Sequence, residues 1–494
     1  MRPSRYDQKR DFGTTPEPSS DSVAGDVDPL EASPGDTFVI QQHHATRLHH
    51  DVRLEMSNGD TSVLVSWAVP KGLPRRRGER HLAIRTEDHP IGYATFSGTI
   101  PEGEYGGGAV RIFDQGTYEL VARSHDRITF RLEGRRLQGI YHLVHTGPKD
   151  GKDAWLAIMS EDRRPAGNPP PSPDPMLATL TAEAFDDPAW VFEPKWDGIR
   201  AIARCSDETR LVSRNERDIT VAYPELHHLH DQVVALEAML DGEIVAFDEG
   251  VPSFQLLQQR MHLRDERKIE HMANRIPVVF MVFDLLYLDG DDLTSRPLEK
   301  RRALLEETIV PAETIQLSPV TEGEGVALFR AAAEQGLEGI MAKKRSSLYH
   351  TGTRSRDWLK VKVTFDADVV VVGWTEGEGQ REGSLGSLVM AVFDGPHLRY
   401  VGNVGTGFDR GSLADAVSRL QALEGTEPPF PVAVLGTRAE LRQAHWVTPS
   451  LVARVEHRQL TAAGRLRAPS FQGFREDKDP EECTWAQLIA ETIP

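Results

Sequence analysis

The chain has 494 residues, 27% of them charged and 39% hydrophobic, a net charge of −18 and only two cysteines, Cys205 and Cys483. This composition describes a globular protein of about three domains and excludes a fibrous or wholly disordered chain, a disulfide framework and a four-cysteine zinc module. The longest apolar stretch, Val278 to Leu288, is broken by Asp284 and too short for a bilayer, and no apolar segment follows the basic N-terminus, so a cytoplasmic protein with no membrane contact is expected.

In chain order, residues 1–35 are rich in Pro, Ser, Asp and Gly, bury little, and read as a disordered tail. Residues 36–163 hold short alternating runs such as SVLVSWAV and RITFRLE, bounded by turn residues, which predicts an antiparallel β domain closed as a barrel or sandwich. This segment is charge-balanced and carries half of the 18 histidines. The acid excess of the rest argues against indiscriminate nucleic-acid binding, because phosphate contacts need cations. Residues 164–176 form a Pro-rich linker expected to separate two independently folding units. From 177 to 364 apolar strand-like runs alternate with helical stretches, Glu225 to Leu240 and Leu298 to Glu307, an α+β or α/β pattern. Residues 365–494 are β-rich around a helix from Gly411 to Leu423, and read as a small barrel.

The most informative stretch is Glu193-Pro194-Lys195-Trp196-Asp197-Gly198-Ile199-Arg200. A lysine at the exit of a buried strand can serve as an amine nucleophile, although Lys-x-Asp-Gly alone better suits a surface lysine before a turn. Downstream stand Ser213-Arg214-Asn215, Asp241-Gly242-Glu243, Phe283-Asp284-Leu285, Glu338-Gly339 with Lys343, and Trp358-Leu359-Lys360-Val361-Lys362. In this order the set resembles the covalent nucleotidyltransferases: ATP-dependent DNA ligases, RNA ligases and capping enzymes. Attack of a lysine on the α-phosphorus of ATP calls for cations on the phosphates, acids for a divalent metal and an aromatic face for the base.

The resemblance implies that Lys195 carries AMP and that Arg200 and Arg214 hold the nucleotide or a 5′-phosphate. Glu193 and Lys343 would bind the cofactor; Glu243 would bind ribose or metal and Glu338 metal, Mg²⁺ or Mn²⁺. Phe283 would stack on adenine, although its strand is so apolar that core packing suits it as well, and Lys360 and Lys362 would clamp the α-phosphate. The C-terminal Arg467-Ala468-Pro469-Ser470-Phe471-Gln472-Gly473-Phe474-Arg475-Glu476-Asp477-Lys478 resembles the last motif of bacterial ligase D, in an OB-fold domain. There Arg467, Arg475 and Lys478 would orient the pyrophosphate leaving group.

In the β domain, Val39 to Glu55 gathers His43, His49, Asp51, Arg53 and Glu55. Spacing by two puts His49, Asp51, Arg53 and Glu55 on one strand face. Two imidazoles and a carboxylate suit Mn²⁺, Zn²⁺ or another divalent transition metal, with Arg53 available to a phosphate; a solvated polar face is the alternative. With His89 and Tyr93, and the Gly-rich turn from Gly98 to Gly108, these residues resemble the 3′-phosphoesterase module of ligase D. That resemblance implies His43, His49 and Asp51 as metal ligands, with Arg53, His89 and Tyr93 acting on the scissile phosphate. His81 stands where that family usually has an arginine.

The expectation is thus a multidomain α+β protein with an N-terminal β-barrel phosphoesterase domain (36–163), an adenylation domain (177–364) and an OB-fold domain (365–494). It would use ATP to seal nicked or broken duplex DNA in non-homologous end joining, after metal-dependent trimming of 3′ ends. A monomer associated with the bacterial nucleoid is expected, with a Ku-like end-binding partner and a separate polymerase, since these 494 residues leave no room for that module. An RNA ligase or capping-type enzyme, and a non-catalytic end-binding scaffold, are the rival readings.

Overall fold

The computed structural model describes residues 6–19, 27–57, 61–162, 171–261, 263–377, 385–425, 427–430, 441, 444–461 and 463–492. The chain divides into two compact units, one of Met1–Leu177, Asp197–Pro319 and Lys344–Asp357, the other of Ala178–Trp196, Val320–Lys343 and Trp358–Pro494.

In the first unit a barrel is built from strands β1 (Ser33–His44), β2 (Leu48–Ser57), β3 (Ser62–Val69), β4 (Arg80–Arg85), β5 (Gly98–Ile100), β6 (Gly108–Arg123), β7 (Arg127–Gly134), β8 (Gln138–Lys149) and β9 (Lys152–Asp162). The order β1-β2-β3-β4-β9-β8-β7-β6 closes because β6 pairs back with β1, while β5 hangs on β6. Closure leaves no unpaired edge. Alternation decides which side chains fill it: Val63, Val65, Trp67 and Val69 of β3, and Val52, Leu54 and Met56 of β2, all enter the barrel core. The intervening Asp51 and Arg53 therefore stand on the outer wall.

Residues 6–19 and 27–35, expected as part of a disordered tail, are packed against the barrel instead. Tyr6 is 1% exposed and packs with Val39, Leu64 and Tyr93 on the outer wall. Glu17 is buried as well. A small apolar patch outside the barrel is what this segment covers, a tertiary gain invisible to local composition. Residues 1–5 and 20–26 of the expected tail, and 163–170 of the linker region, lie outside the described residues.

The same unit contains an antiparallel sheet with strands ordered Thr209–Ser213, Ile199–Cys205, Ala238–Asp248, Val278–Leu288 and Asp291–Asp292. Helices Glu266–Arg275 and Leu298–Thr308 accompany it. The helix expected over Glu225 to Leu240 does not form: short 3-10 turns at Pro224–Leu226 and Leu229–Gln232 give way to the strand Ala238–Asp248. Leu226, Leu229 and Val233 are buried from this irregular path, so packing overrides their helix-like spacing. Nor are barrel and sheet independent. Val234, Leu236 and Val310 join the barrel's own apolar cluster, and Arg136 Nε meets Asp289 Oδ2 at 2.5 Å.

The second unit holds a sheet of Leu177–Thr181, Arg354–Lys362, Gly339–Lys344, Asp186–Pro194 and Thr321–Glu324, backed by helix Gly325–Glu334. Its C-terminal part is a five-stranded antiparallel sheet, His397–Val404, Leu385–Asp394, Phe365–Glu376, His445–His457 and Ser470–Phe474. Helix Arg410–Ala422 begins with a reciprocal cap between Asp409 and Ser412. No helix among the described residues is long and apolar enough to cross a membrane.

Candidate functional site

On the outer wall of the barrel, His43 of β1 pairs across the ladder with His49 of β2, and Gln41 with Asp51. Paired residues share a face, so the hairpin brings together what sequence spacing could only half connect. His43 Nδ1 lies 3.5 Å from Asp51 Oδ2 and His49 Nε2 3.6 Å from Asp51 Oδ1. One ligand atom from each residue falls within 4.8 Å of the others. The remaining ring nitrogens donate to backbone carbonyls, His43 Nε2 to Gly106 at 2.7 Å and His49 Nδ1 to Arg47 at 2.9 Å. That fixes both tautomers with a lone pair turned toward Asp51, the outer-shell arrangement of a metal centre. The residues present therefore fit a divalent transition metal.

Arg53 binds this group together. Its Nε donates to Gln41 Oε1 at 2.7 Å, Nη1 to Ser66 Oγ at 2.8 Å and toward His89 Nδ1 at 2.9 Å, and Nη2 to Asp51 Oδ2 at 2.9 Å. These contacts use four of its five N–H groups, so in this arrangement it organises the site. Burial opposes ionisation of Asp51, but the Arg53 guanidinium outweighs it and holds the carboxyl well below the usual range. Burial, reinforced by Arg53 and Arg10, pushes His89 well below the ordinary histidine value. His89 is thus a neutral ring near pH 7, better suited to accept than to give a proton before an anionic substrate arrives. Tyr93 donates to Glu17 Oε1 at 2.9 Å, and Arg10 Nε holds the same oxygen at 2.8 Å. Lys9 and Arg10 also reach Glu87, at 2.9 and 3.4 Å. Gln41, Ser66, Arg10, Glu17 and Glu87 were missed as site residues; for Arg10 and Glu17 the signal was a run of charged and aromatic residues in an otherwise featureless tail. His81 donates through Nδ1 to the Gly72 carbonyl at 2.7 Å and pairs with Glu79.

In the sheet of the first unit, Arg200 grips Asp241 with both arms, at 3.0 and 2.7 Å, and donates to the Met176 carbonyl at 2.8 Å. Tyr349 donates to Asp241 Oδ2 at 2.6 Å. Burial works against the charge on Arg200, but Asp241 outweighs it and keeps the guanidinium firmly protonated. Arg200 pairs in register with Glu243, and its guanidinium carbon is 5.3 Å from the Phe283 ring centre. Phe280 and Val282 enter the core cluster while Phe283 lies outside it, so strand alternation turns Phe283 to the polar face rather than into the core. Gly198 is required by close approach: a Cβ there would lie 2.3 Å from the Ile244 carbonyl oxygen. Asp284 is buried against Arg301 in a bidentate pair at 2.8 and 2.7 Å. Arg214 is exposed in the turn after Thr209–Ser213, with no ion pair among the described residues.

In the second unit Lys195 leaves the strand Asp186–Pro194, its N–H bonded to the Gly339 carbonyl at 2.9 Å. Its Nζ lies 2.5 Å from Glu338 Oε2, and Arg458 donates to Glu338 Oε1 at 2.9 Å. The sheet is two-faced. Phe192, Ile340, Ala342 and Val361 pack on one side; by alternation, Glu193, Lys343, Trp358, Lys360 and Lys362 stand on the other. Glu193 and Lys343 form a buried pair at 2.8 Å, with Lys343 Nζ 4.5 Å from the Trp358 ring centre; as found, they position each other. Burial, together with Arg458, lowers the pKa of Lys362. Arg475 and Lys478 converge with Arg454 on Asp368, at 3.1, 3.0 and 2.9 Å, not on Glu338, and Arg467 Nη1 lies 3.4 Å from Gln459 Oε1. Arg458, Asp368 and Asp241 were missed because each partner comes from a strand remote in sequence.

Three family descriptions match: the DNA ligase D 3′-phosphoesterase domain over residues 41–145, the ATP-dependent DNA ligase domain over 175–362 and the ATP-dependent DNA ligase C-terminal region over 381–478. The multifunctional non-homologous end joining DNA repair protein LigD of Mycobacterium tuberculosis is 40% identical over 492 residues, covering 97% of this chain and 61% of the relative. The LigD of Pseudomonas aeruginosa is 32% identical over 537 residues with the same coverage. The chain thus spans about three fifths of the length of the curated relatives it matches. A crystal structure of the ligase domain of M. tuberculosis LigD is 35% identical, covering 63% of this chain and 98% of that one, with a TM-score of 0.36. With a phosphoesterase domain followed by both parts of an ATP-dependent ligase in one chain, this protein belongs to the ligase D family.

Proposed function

We propose that this chain repairs double-strand breaks by non-homologous end joining, trimming 3′ ends with its barrel and sealing DNA with an ATP-dependent ligase. One observation carries the ligase reading: the Lys195 amine lies 2.5 Å from Glu338, on a sheet whose polar face also bears Lys360 and Lys362. Nζ attacks the α-phosphorus of ATP; the N–P bond forms as the P–O bond to pyrophosphate breaks, and Glu338 is at hand to take the amine proton. AMP then passes to a 5′-phosphate and is displaced by a 3′-OH. Lys360 and Lys362 neutralise phosphate charge, Arg200 and Arg214 hold the nucleotide or the 5′-phosphate, Phe283 stacks on the base, and Arg467, Arg475 and Lys478 act on the leaving group.

Glu243 and Glu338 would hold Mg²⁺ or Mn²⁺, which would neutralise phosphate charge during the transfer. In the barrel, His43, His49 and Asp51 hold a divalent transition metal such as Mn²⁺, which supplies Lewis acidity on a 3′-phosphate. Arg53 and Gln41 keep Asp51 aimed, while His89 and Tyr93 flank the substrate. The relatives' names support the end-joining setting, and a Ku-like end-binding protein is the proposed partner.

Incubation with α-³²P-ATP is expected to label the wild-type chain covalently and leave Lys195→Ala unlabelled; equal label on both would remove the ligase reading. His49→Ala is expected to abolish metal-dependent 3′ trimming and retain the label. Loss of both activities together would point to misfolding instead of a metal ligand.

A further inference from the structure

A second imidazole–carboxylate cluster lies outside everything assigned so far. His228 Nδ1 is 3.6 Å from Asp231 Oδ2 and His230 Nε2 is 3.6 Å from Asp231 Oδ1. One ligand atom from each residue lies within 4.8 Å of the others. The three residues sit on or beside the short turn Leu229–Gln232, whose Leu229 is completely buried and whose following Val233 enters the same core. The platform is therefore rigid although its polar side is open.

His230 is held from behind. Thr209 Oγ1 lies 3.0 Å from His230 Nδ1 and accepts from the His230 backbone N–H, also at 3.0 Å. With Nδ1 engaged by this hydroxyl, Nε2 is the ring nitrogen that faces Asp231, as in a ligating histidine held by an outer-shell partner. His227 differs: its Nε2 donates to the Thr220 carbonyl at 2.9 Å and is turned away. The turn also supports the barrel, because Gln42 of β1 donates to the Asp231 carbonyl at 2.9 Å. Gln42 directly precedes His43.

We propose that His228, His230 and Asp231 form a second transition-metal site, of the Zn²⁺ class, distinct from the His43–His49–Asp51 centre. Two imidazole nitrogens and one carboxylate oxygen suit zinc, with water completing the shell. An ion there braces the turn on which β1 rests.

The test is zinc binding by calorimetry on the full chain carrying His43→Ala and His49→Ala, which removes the barrel centre. One zinc is expected to remain. Adding His230→Ala, or Asp231→Asn, which keeps the carbonyl for Gln42 and should fold normally, is expected to weaken it at least about tenfold, whereas adding His227→Ala leaves it unchanged. Zinc is also expected to raise the unfolding temperature of the double variant but not of its Asp231→Asn derivative. Absence of a remaining zinc, or a zinc indifferent to both His230→Ala and Asp231→Asn, overturns the site. Binding without any thermal shift overturns the bracing role.

Discussion

Arg53 shows how much of the proposed phosphoesterase site is built by a residue that has little freedom to touch a substrate. Four buried acceptors, on Gln41, Ser66, His89 and Asp51, depend on its planar fork, a geometry that an ammonium on a flexible stem cannot copy. Arg53→Lys is accordingly expected to lower 3′-end trimming by about 10- to 100-fold, as loss of an outer-shell partner does, and to leave ATP labelling of Lys195 unchanged. A trimming rate within twofold of wild type would reduce Arg53 to an ordinary buried cation. At this scale the candidate site residues were legible, because reactive groups announce themselves by type and local spacing: His49, Asp51 and Arg53 along one strand, Lys195 beside an Asp-Gly turn. Their holders were not. Asp241 for Arg200, Arg458 for Glu338 and Gln41 for Arg53 arrive from other strands, and only tertiary structure pairs them.

Elements were legible where a period ran uninterrupted and failed where burial came from elsewhere. The alternating runs of the barrel close as expected, and Leu298–Thr308 is the helix its pattern predicts. Residues 225–240 read as a helix because Leu226, Leu229, Val233 and Leu240 recur at suitable steps, yet the last of these belongs to a central strand. The N-terminal segment fails in the opposite sense. Its order comes from Tyr6 on the barrel wall and from Arg10, which bonds Glu17 and stacks on Tyr6 at 3.8 Å. Arg10→Ala leaves Glu17 buried beside Tyr93 without its cation, and removing a partner from such a charge costs a few kcal/mol. The segment should respond by detaching before the barrel unfolds. Limited proteolysis is therefore expected to cut Arg10→Ala within residues 6–19 under conditions that spare the wild type, with trimming activity falling in parallel. Equal resistance would show that Tyr6 alone anchors the segment.

At the scale of the whole molecule, the Pro-rich stretch suggested beads on a string, whereas the barrel and the sheet that follows it share one apolar cluster through Val234, Leu236 and Val310. In the proposed function trimming supplies the 3′-OH that ligation consumes, and the shared cluster fixes the trimming barrel to the sheet that carries Arg200 and Phe283. The attachment has a measurable polar component. Asp289 Oδ2 meets Arg136, while its Oδ1 accepts from the N–H groups of Leu236 and Glu237 at 2.7 and 3.0 Å. Asp289→Asn keeps the Oδ1 acceptor and removes the charge, and Arg136→Met removes the other partner with little change in volume, so a double-mutant cycle isolates the ion pair from the turn it also supports. Both groups are largely shielded from water, at 12% and 4% side-chain exposure, which places the expected coupling at about 1–3 kcal/mol instead of the few tenths typical of an exposed pair. The same substitutions should separate a single thermal transition of barrel and sheet into two. A cycle that closes near zero, with one transition retained in every variant, would mean that apolar contact alone holds the parts together and that the charge pair contributes nothing to their attachment.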